Sequence, residues 1–283
     1  MKEESINCVE SIKKALSHEN NDYGIVVVDN GSPNNSGEEL RIKYKDDPNV
    51  EVVILSENHG FARGNNIGYD YVKKNYDPEF IIIMNNDIEI TNTEFLRQID
   101  DIFKEKQYSV LGPDVYSSTY CIHQSPKRLK HYSLLEVEKI HAKYVKQISS
   151  PRLVRIKCLL KRIFWLKKLK YYYTRAKVNS QKEYENVPLH GSCIILSKNF
   201  IINNNIVFNP DTFLYFESEI LDYICWKKNE LTIYSPKIKV IHHQNISTNA
   251  EYCDEYKKTM FSLKCAVDST RVFADLLRLE GSE

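Results

Sequence analysis

Phe80-Ile81-Ile82-Ile83-Met84, running into Asn85-Asn86-Asp87, is the stretch on which the fold turns, and two others repeat its form. Ile25-Val26-Val27-Val28 meets Asp29-Asn30-Gly31-Ser32. Val52-Val53-Ile54-Leu55 leads into Asn58-His59-Gly60-Phe61-Ala62-Arg63-Gly64-Asn65-Asn66. Continuous apolar runs of this length predict strands buried on both faces, as in a parallel sheet covered by helices. In such sheets ligands bind beyond the carboxyl ends of the strands, and all three polar clusters fall there. A carboxylate, a Gly-rich amide loop and a second carboxylate brought to one edge suggest a nucleotide site.

Helical spacing alternates with these strands. Ile6, Val9, Ile12 and Leu16 share a face over 5–18, as do Ala62, Asn66, Tyr69 and Val72 over 62–75. Phe95, Leu96, Ile99, Ile102 and Phe103 do the same over 93–105. The alternation predicts an α/β sandwich with right-handed crossovers. At 283 residues the chain is long enough for one large domain or a domain with an appendage.

A net charge of +1 with 27% charged residues gives no reason to expect a nucleic-acid partner. No stretch approaches the roughly 20 apolar residues that span a bilayer. Met1-Lys2-Glu3-Glu4-Ser5 lacks the apolar core of a signal peptide. Seven scattered cysteines without a Cys-x-x-Cys pair fit reduced thiols, so the expected compartment is the cytoplasm.

The middle of the chain is different. Between Pro151 and Lys177 stand ten Lys or Arg residues and no acid, interleaved with Leu153, Ile156, Phe164, Trp165 and other apolar side chains. A basic helix of this kind suits the anionic inner face of a membrane, through residues 152–177. The plainer alternative is a helical hairpin packed on the sheet with a solvated basic rim.

Six blocks, taken in order, resemble family-2 nucleotide-sugar glycosyltransferases of the GT-A fold, nearest the rhamnosyltransferase branch that assembles capsule, O-antigen and rhamnan chains. They are Val27–Ser32, Asn58–Asn66, Met84–Asp87, His190–Cys193, Phe213–Glu217 and Val240–His243, with Ser247-Thr248 behind. The resemblance covers about 5–125 and 186–280. It implies a Rossmann-like, mostly parallel central sheet flanked by helices, with a basic helical insertion and a C-terminal helix. The chain then divides into a nucleotide-sugar-binding half (1–125), the insertion (126–185) and an acceptor-binding half (186–283).

The resemblance also implies roles. Asp29 would take the imide hydrogen of a uracil or thymine ring; by itself an Asp before Gly31 reads as a turn cap. Asn30, Gly60, Phe61, Arg63, Gly64 and Asn65 would hold the donor, since glycines let backbone amides approach phosphate or sugar. Asn86, His190 and Gly191 join that set. Asp87 would be the carboxylate ligand of Mn²⁺ or Mg²⁺, which offsets charge on a leaving diphosphate. His242 matches the second ligand, and its neighbour His243, facing the other way in extended chain, is the alternative. The family commonly has Glu-Asp at 217–218, the Asp being the base, but here Ser218 stands in its place. Glu217 or Glu219 would then take the acceptor's proton, although acids also favour a helix start without any catalysis.

A second departure concerns the family's opening strand, which has no counterpart ahead of the helix at 5–18. The expectations are a start further upstream, a trimmed chain or a donor site that has lost a part. A sheet edge exposed there would suit pairing with a second copy as a homodimer. The activity expected is inverting transfer from a UDP- or dTDP-sugar to a lipid-linked or glycan acceptor. A degenerate module that binds glycan or a partner enzyme is the alternative. A nucleotidyltransferase would want a basic Gly-rich loop early in the chain, and none is present.

Overall fold

The computed structural model of the chain describes residues 2–17, 22–161, 178–244 and 254–280. Most of the aromatic part of the basic stretch (162–177) and Ser247-Thr248 lie outside the described residues.

The elements run α1 (Lys2–Leu16), β1 (Ile25–Asp29), α2 (Ser36–Tyr44), β2 (Val50–Ile54), α3 (Gly60–Asn75), β3 (Phe80–Met84), β4 (Ile88–Ile90) and α4 (Phe95–Lys106). Then come β5 (Val110–Ser117), β6 (Ile122–His123), α5 (Leu134–Ile148), α6 (Pro151–Lys161) and β7 (Tyr184–Glu185). Last are β8 (Cys193–Ser197), α7 (Lys198–Asn203), α8 (Glu217–Lys227), β9 (Thr232–His242) and α9 (Glu255–Glu280).

The α/β architecture with a helix-flanked sheet is as the sequence predicts, and β3 shows why its apolar run is continuous. Ile81 and Ile83 face Ala62 and Tyr69 of α3 together with Ile194 and Leu196 of β8. Phe80, Ile82 and Met84 face Ile99 and Ile102 of α4. A strand covered on both sides has no position left for a polar residue, and each such side chain stabilises by about 1.5–3 kcal/mol when fully buried. β1 behaves likewise. Ile25 and Val27 turn toward Val9, Leu40 and Tyr44 of α1 and α2, whereas Val28 faces α3, where a Cβ on Gly68 would lie 2.9 Å from its Cγ2.

Strand direction is more mixed than the apolar runs imply. β1 and β2 pair in parallel as a two-stranded sheet, from Ile25↔Val50 to Asp29↔Ile54. The larger sheet has the order β3-β8-β5-β9-β4, with β6 on β5 and β7 on β9. Within it β5–β9 is parallel, with a register shift between Pro113 and Asp114, whereas β3–β8, β8–β5 and β9–β4 are antiparallel. An apolar run reports burial on both faces and carries no information on direction. Direction is set by connections: helices return the chain for β1 to β3, and the three-residue turn 85–87 after β3 cannot.

The described part of the 126–185 stretch folds as the hairpin α5–α6 against α9. Ser133 and Glu136 form a reciprocal capping box that starts α5. Val154 and Cys158 of α6 pack on Leu263, Tyr256 and Met260, and Val137 of α5 packs with Tyr223 and Phe273. Leu153 and Ile156 stay on the outer face of α6, 55% and 53% exposed. Among the described residues no helix is long and apolar enough to cross a membrane.

Candidate active site

β3 and β9 deliver the two residues around which the site is built. Asp87 sits in the turn after β3 and His242 ends β9, where Ile88 and His242 are paired across the β4–β9 ladder. Asp87 Oδ1 lies 3.3 Å from His242 Nε2, and both side chains are nearly buried. The same Oδ1 is buried without a hydrogen bond. His242 Nδ1 is 2.7 Å from Gln124 Oε1. A carboxamide oxygen only accepts, so Nδ1 carries the proton and Nε2 presents its lone pair to the carboxylate. With the ring neutral, two electron-rich atoms face each other in a buried place, an arrangement that would fit a cation, and the bond to Gln124 is of the kind that would orient the histidine as a ligand.

Among the described residues no group of three or more His, Cys, Asp or Glu side chains gathers as a closed metal cage. Mg²⁺ and Mn²⁺ characteristically take one or two protein ligands and complete their shell with phosphate oxygens and water, so the pair suffices. His243 points elsewhere: its Nε2 lies 2.7 Å from Glu89 Oε2 and its Nδ1 3.2 Å from Ser118 Oγ. Its backbone N–H donates to Asp87 O at 3.0 Å and so ties the strand end to the turn. A cavity of about 430 Å³ opens on the His243 side of this turn, between α1 and the turn, and its walls are acidic, carrying Glu4, Glu10 and Glu89 besides Asp87. Asn86 donates to Ser5 Oγ at 3.0 Å, which fastens this turn to α1.

The other predicted residues form a clamp. Asp29 is buried at the end of β1; its Oδ1 accepts from Ser32 N–H at 2.8 Å and its Oδ2 from Ser36 Oγ at 3.1 Å. It thus caps the turn into α2 in this structure, with further lone pairs remaining on each oxygen. Asn30 accepts from His59 N–H at 3.0 Å and donates to Gly60 O at 2.9 Å. Gly60 has φ +80°, and a Cβ there would lie 2.5 Å from Phe213 O. A Cβ on Gly64 would lie 2.8 Å from Asn30 Nδ2. Both glycines therefore serve close packing, and the Phe61 N–H donates to Phe213 O at 2.7 Å. Arg63 Nε donates to Pro210 O at 2.7 Å, Asn65 Nδ2 to Phe61 O at 2.8 Å. Asn66 accepts from the amides of Val207 and Phe208, both at 3.0 Å, and donates to Phe208 O at 2.7 Å. Of the loop amides, that of Phe61 is bonded to 207–213 and those of His59 and Gly60 are taken by Asn30 and Asn58, while the side chains of Arg63 and Asn66 complete the link between the two halves of the site.

That clamped segment leads into the acids. Tyr215 and Phe216 have φ +77° and +67°, left-handed values that bulky side chains rarely adopt and that cost about 1–3 kcal/mol each. The strain turns the chain so that Glu217 opens α8. Glu217 is buried, its Oε1 has no hydrogen bond, and burial pushes its carboxyl up to about 7. Glu219 is also buried, which works to raise its carboxyl, but the Lys127 ammonium together with hydrogen bonds from the backbone and Ser218 holds it below the usual range. Lys127 Nζ donates to Glu219 Oε1 at 2.9 Å and to Ser218 Oγ at 2.8 Å, and Ser218 donates to Glu219 Oε2 at 3.0 Å. Ser218 lies against Gly191, where a Cβ would be 3.3 Å from its own. His190 Nδ1 is 2.7 Å from Ser192 Oγ, and its ring centre is 5.7 Å from that of His242. The acids and the Asp87–His242 pair thus face one another across the 190–192 loop.

Gln124, Lys127 and His131 are the residues that sequence reasoning misses; His131 Nδ1 lies 2.9 Å from Asp222 Oδ2. A signal exists for the first two. Gln124-Ser125-Pro126-Lys127 is a polar cluster beyond an apolar strand, the form already seen three times, but the two-residue β6 is too short to show as a run.

A helix-flanked mixed sheet with an acidic turn, a strand-end histidine and a helix-opening acid cluster on one rim is the frame of a GT-A-like transferase. The chain belongs to glycosyl transferase family 2, whose sequence model matches residues 6–169. It is 31% identical over 106 residues to the low-salt glycan biosynthesis hexosyltransferase Agl10 of Haloferax volcanii, across 38% of this chain and 33% of that one. The matched part is about a third of that relative's length. Among solved structures it resembles the mannosyltransferase PcManGT of Pyrobaculum calidifontis in complex with GDP-Man and Mn²⁺. That match has a TM-score of 0.52 and 10% identity, covering 100% of this chain and 76% of that chain. It also resembles GalNAc-T7 with UDP, GalNAc and Mn²⁺, with TM-score 0.52, 10% identity, and 86% and 41% coverage. At such identities the likeness carries the fold alone.

Proposed function

We propose that this chain is an inverting, metal-assisted glycosyltransferase that moves a hexosyl group from a UDP- or dTDP-sugar to a surface-glycan acceptor of the rhamnan, capsule or O-antigen kind. The observation that carries the reading is the Asp87–His242 pair, whose Oδ1 and Nε2 are 3.3 Å apart with Oδ1 otherwise unbonded. Asp87 and His242 would hold Mn²⁺ or Mg²⁺, which supplies Lewis-acid stabilisation of the departing diphosphate. The named relatives support the class: one is a hexosyltransferase of glycan biosynthesis, and two solved neighbours hold a nucleotide or nucleotide-sugar with Mn²⁺.

Glu219 is the base in this reading. It takes the proton of the acceptor hydroxyl as that oxygen bonds to the anomeric carbon and the bond to the diphosphate breaks, inverting the centre. Its ion pair with Lys127 keeps it deprotonated at neutral pH, whereas Glu217 is close to half protonated there. The acceptor approaches over His190-Gly191 and the 213–216 segment, with Tyr215 and Phe213 partly exposed for stacking on a sugar face. Leu153 and Ile156, flanked by exposed Arg152 and Arg155, would rest on an anionic inner leaflet and bring a lipid-linked acceptor to the site. The edges of β1 and β3 that no described strand covers are where a second copy would pair; a monomer at all concentrations in sedimentation removes that part.

Calorimetric titration of UDP and dTDP, with Mn²⁺ and with EDTA, tests the core claim. Binding that needs the metal and vanishes in Asp87→Ala is the expected result. Metal-independent binding, or none, would refute the donor site. Ser218, standing where a catalytic Asp is expected, favours a second reading, a module that binds nucleotide or glycan without turnover. Metal-dependent binding with no UDP or dTDP release from any donor would select it.

A further inference from the structure

In this structure the carboxylate of residue 219 is drawn back to the place of residue 218. Ser218 is the α8 residue that touches the 190–192 loop, through Gly191. A carboxylate at 218 would project there directly, but serine offers only a hydroxyl. Both oxygens of Glu219 are nonetheless engaged beside it, one by that hydroxyl and one by Lys127. Oε2 accepts from Ser218 Oγ at 3.0 Å, and Oε1 accepts from Lys127 Nζ at 2.9 Å. Lys127 closes the triangle by donating to Ser218 Oγ at 2.8 Å. Its own backbone N–H is anchored on Pro188 O at 2.8 Å, so the ammonium is carried by the strap that leads to His190.

We propose that Lys127 is a positioning residue that, with Ser218, fixes the Glu219 carboxylate as a substitute for the missing acid at 218. The inference rests on the transferase reading above for its catalytic meaning; the three-point geometry stands apart from it. Without the ammonium, the buried carboxylate would keep the Ser218 hydroxyl as a donor but would have no bonded counter-charge. The other ionisable groups around Glu219 are Glu217 and Asp222 on its own helix, the latter paired with His131, and Tyr144 on α5. None of these supplies a direct cation to Glu219, so Lys127 is the group that keeps it ionised and aimed.

The test compares wild type, Lys127→Met, Lys127→Arg and Ser218→Ala, using ¹³C-glutamate labelling and release of the nucleoside diphosphate (UDP or dTDP) from whichever of UDP-glucose, UDP-galactose and dTDP-rhamnose wild type consumes. Glu219→Gln identifies the resonance. Lys127→Met is expected to lower kcat about 10²-fold, the low end of what a general base contributes. UDP affinity in Mn²⁺ should stay within about twofold, because the lysine acts on the base and not on the donor. The Glu219 carboxyl should titrate at higher pH in Lys127→Met, return partway in Lys127→Arg, and move least in Ser218→Ala. A fall in UDP affinity that accounts for the lost activity would overturn the proposal, since Lys127 would then be holding phosphate. An unmoved Glu219 titration would overturn it as well. If the titration moves as expected but wild type releases no UDP or dTDP from any donor, the coupling stands and the transferase reading fails.

Discussion

Glu217→Gln should make the protein more stable above neutral pH and leave it little changed in acid. The carboxyl of Glu217 is buried and pushed from 4.5 up to about 7, first by burial and then by the charge of Glu219. The sign follows from proton counting. Between pH 4.5 and about 7 the unfolded chain has released this proton while the folded chain still holds it. Wild type therefore loses stability as pH rises through that window. At ~1.4 kcal/mol per pH unit the loss is about 3 kcal/mol by pH 8. Glutamine removes the ionisation and keeps the shape. Its amide leaves a buried donor where Oε1 had no partner, a pH-independent cost of about 1 kcal/mol. The net expectation is a gain of about 2 kcal/mol at pH 8 and almost no change at pH 5, where the ~1 kcal/mol amide cost is nearly cancelled by what wild type has already lost. Asp222, also raised by burial, to about 6, titrates in both proteins and cancels from the difference. Equilibrium urea unfolding followed by tryptophan fluorescence at the two pH values supplies the numbers. A stability difference that does not change with pH, or that favours wild type more at pH 8, would show that Glu217 is not a buried carboxyl held protonated by its surroundings.

Three further expectations concern the site and the surface. Gly60→Ala places a Cβ at positive φ and 2.5 Å from Phe213 O, so it should cost more than about 2 kcal/mol in urea unfolding and raise acceptor KM by displacing 213–216. Unchanged stability would mean the clamp yields freely. His242→Ala should abolish Mn²⁺-dependent UDP binding while His243→Ala keeps most of it. Gln124→Leu should weaken Mn²⁺ about 10–100-fold, all read by calorimetry. Equal effects of the two histidines would contradict the placement of Nε2 beside Asp87. Leu153→Glu with Ile156→Glu should release the protein from vesicles of anionic lipid in flotation assays without altering UDP binding. Flotation that persists would remove α6 from the membrane reading.

β1 and β3 were legible because cover on both faces leaves only apolar residues, and β3 spans the run Phe80–Met84; β2, Val50–Ile54, showed as a run although it carries Glu51 and ends in an exposed Ile54. Their direction was not, since direction is a property of connections. Asp87 and His242 could be matched by motif, and the alternation of extended chain separates His242 from His243 as the structure does. The clamp was out of reach: the partners of Phe61, Arg63 and Asn66 are backbone groups of 207–213, and a backbone carbonyl carries no sequence signature. The cluster at 124–127 marks the position of Lys127, but its partner was out of reach for a related reason. A lysine among basic neighbours gives no hint that its ammonium lies 2.9 Å from Glu219, ninety-two positions away.

The division of the sheet has a mechanical consequence. Alternate residues of β1 bond to β2, as Ile25 N–H to Asn49 O and Leu55 N–H to Asp29 O show, so the backbone groups of Val26 and Val28 point away from it. Among the described residues no ladder continues from there to β3. The pair β1–β2 is held to the rest by the side chains of α1 and α3, a greased joint where other strands have a weld. Asp29 and Asn30 ride on the smaller plate, Asp87 and His242 on the larger. Movement of one plate against the other would change the width of the rim between them and is resisted by the side-chain bonds of α1 and α3 and not by a ladder, so amide hydrogens of Val26 and Val28 should exchange with solvent well ahead of those in β5 and β8.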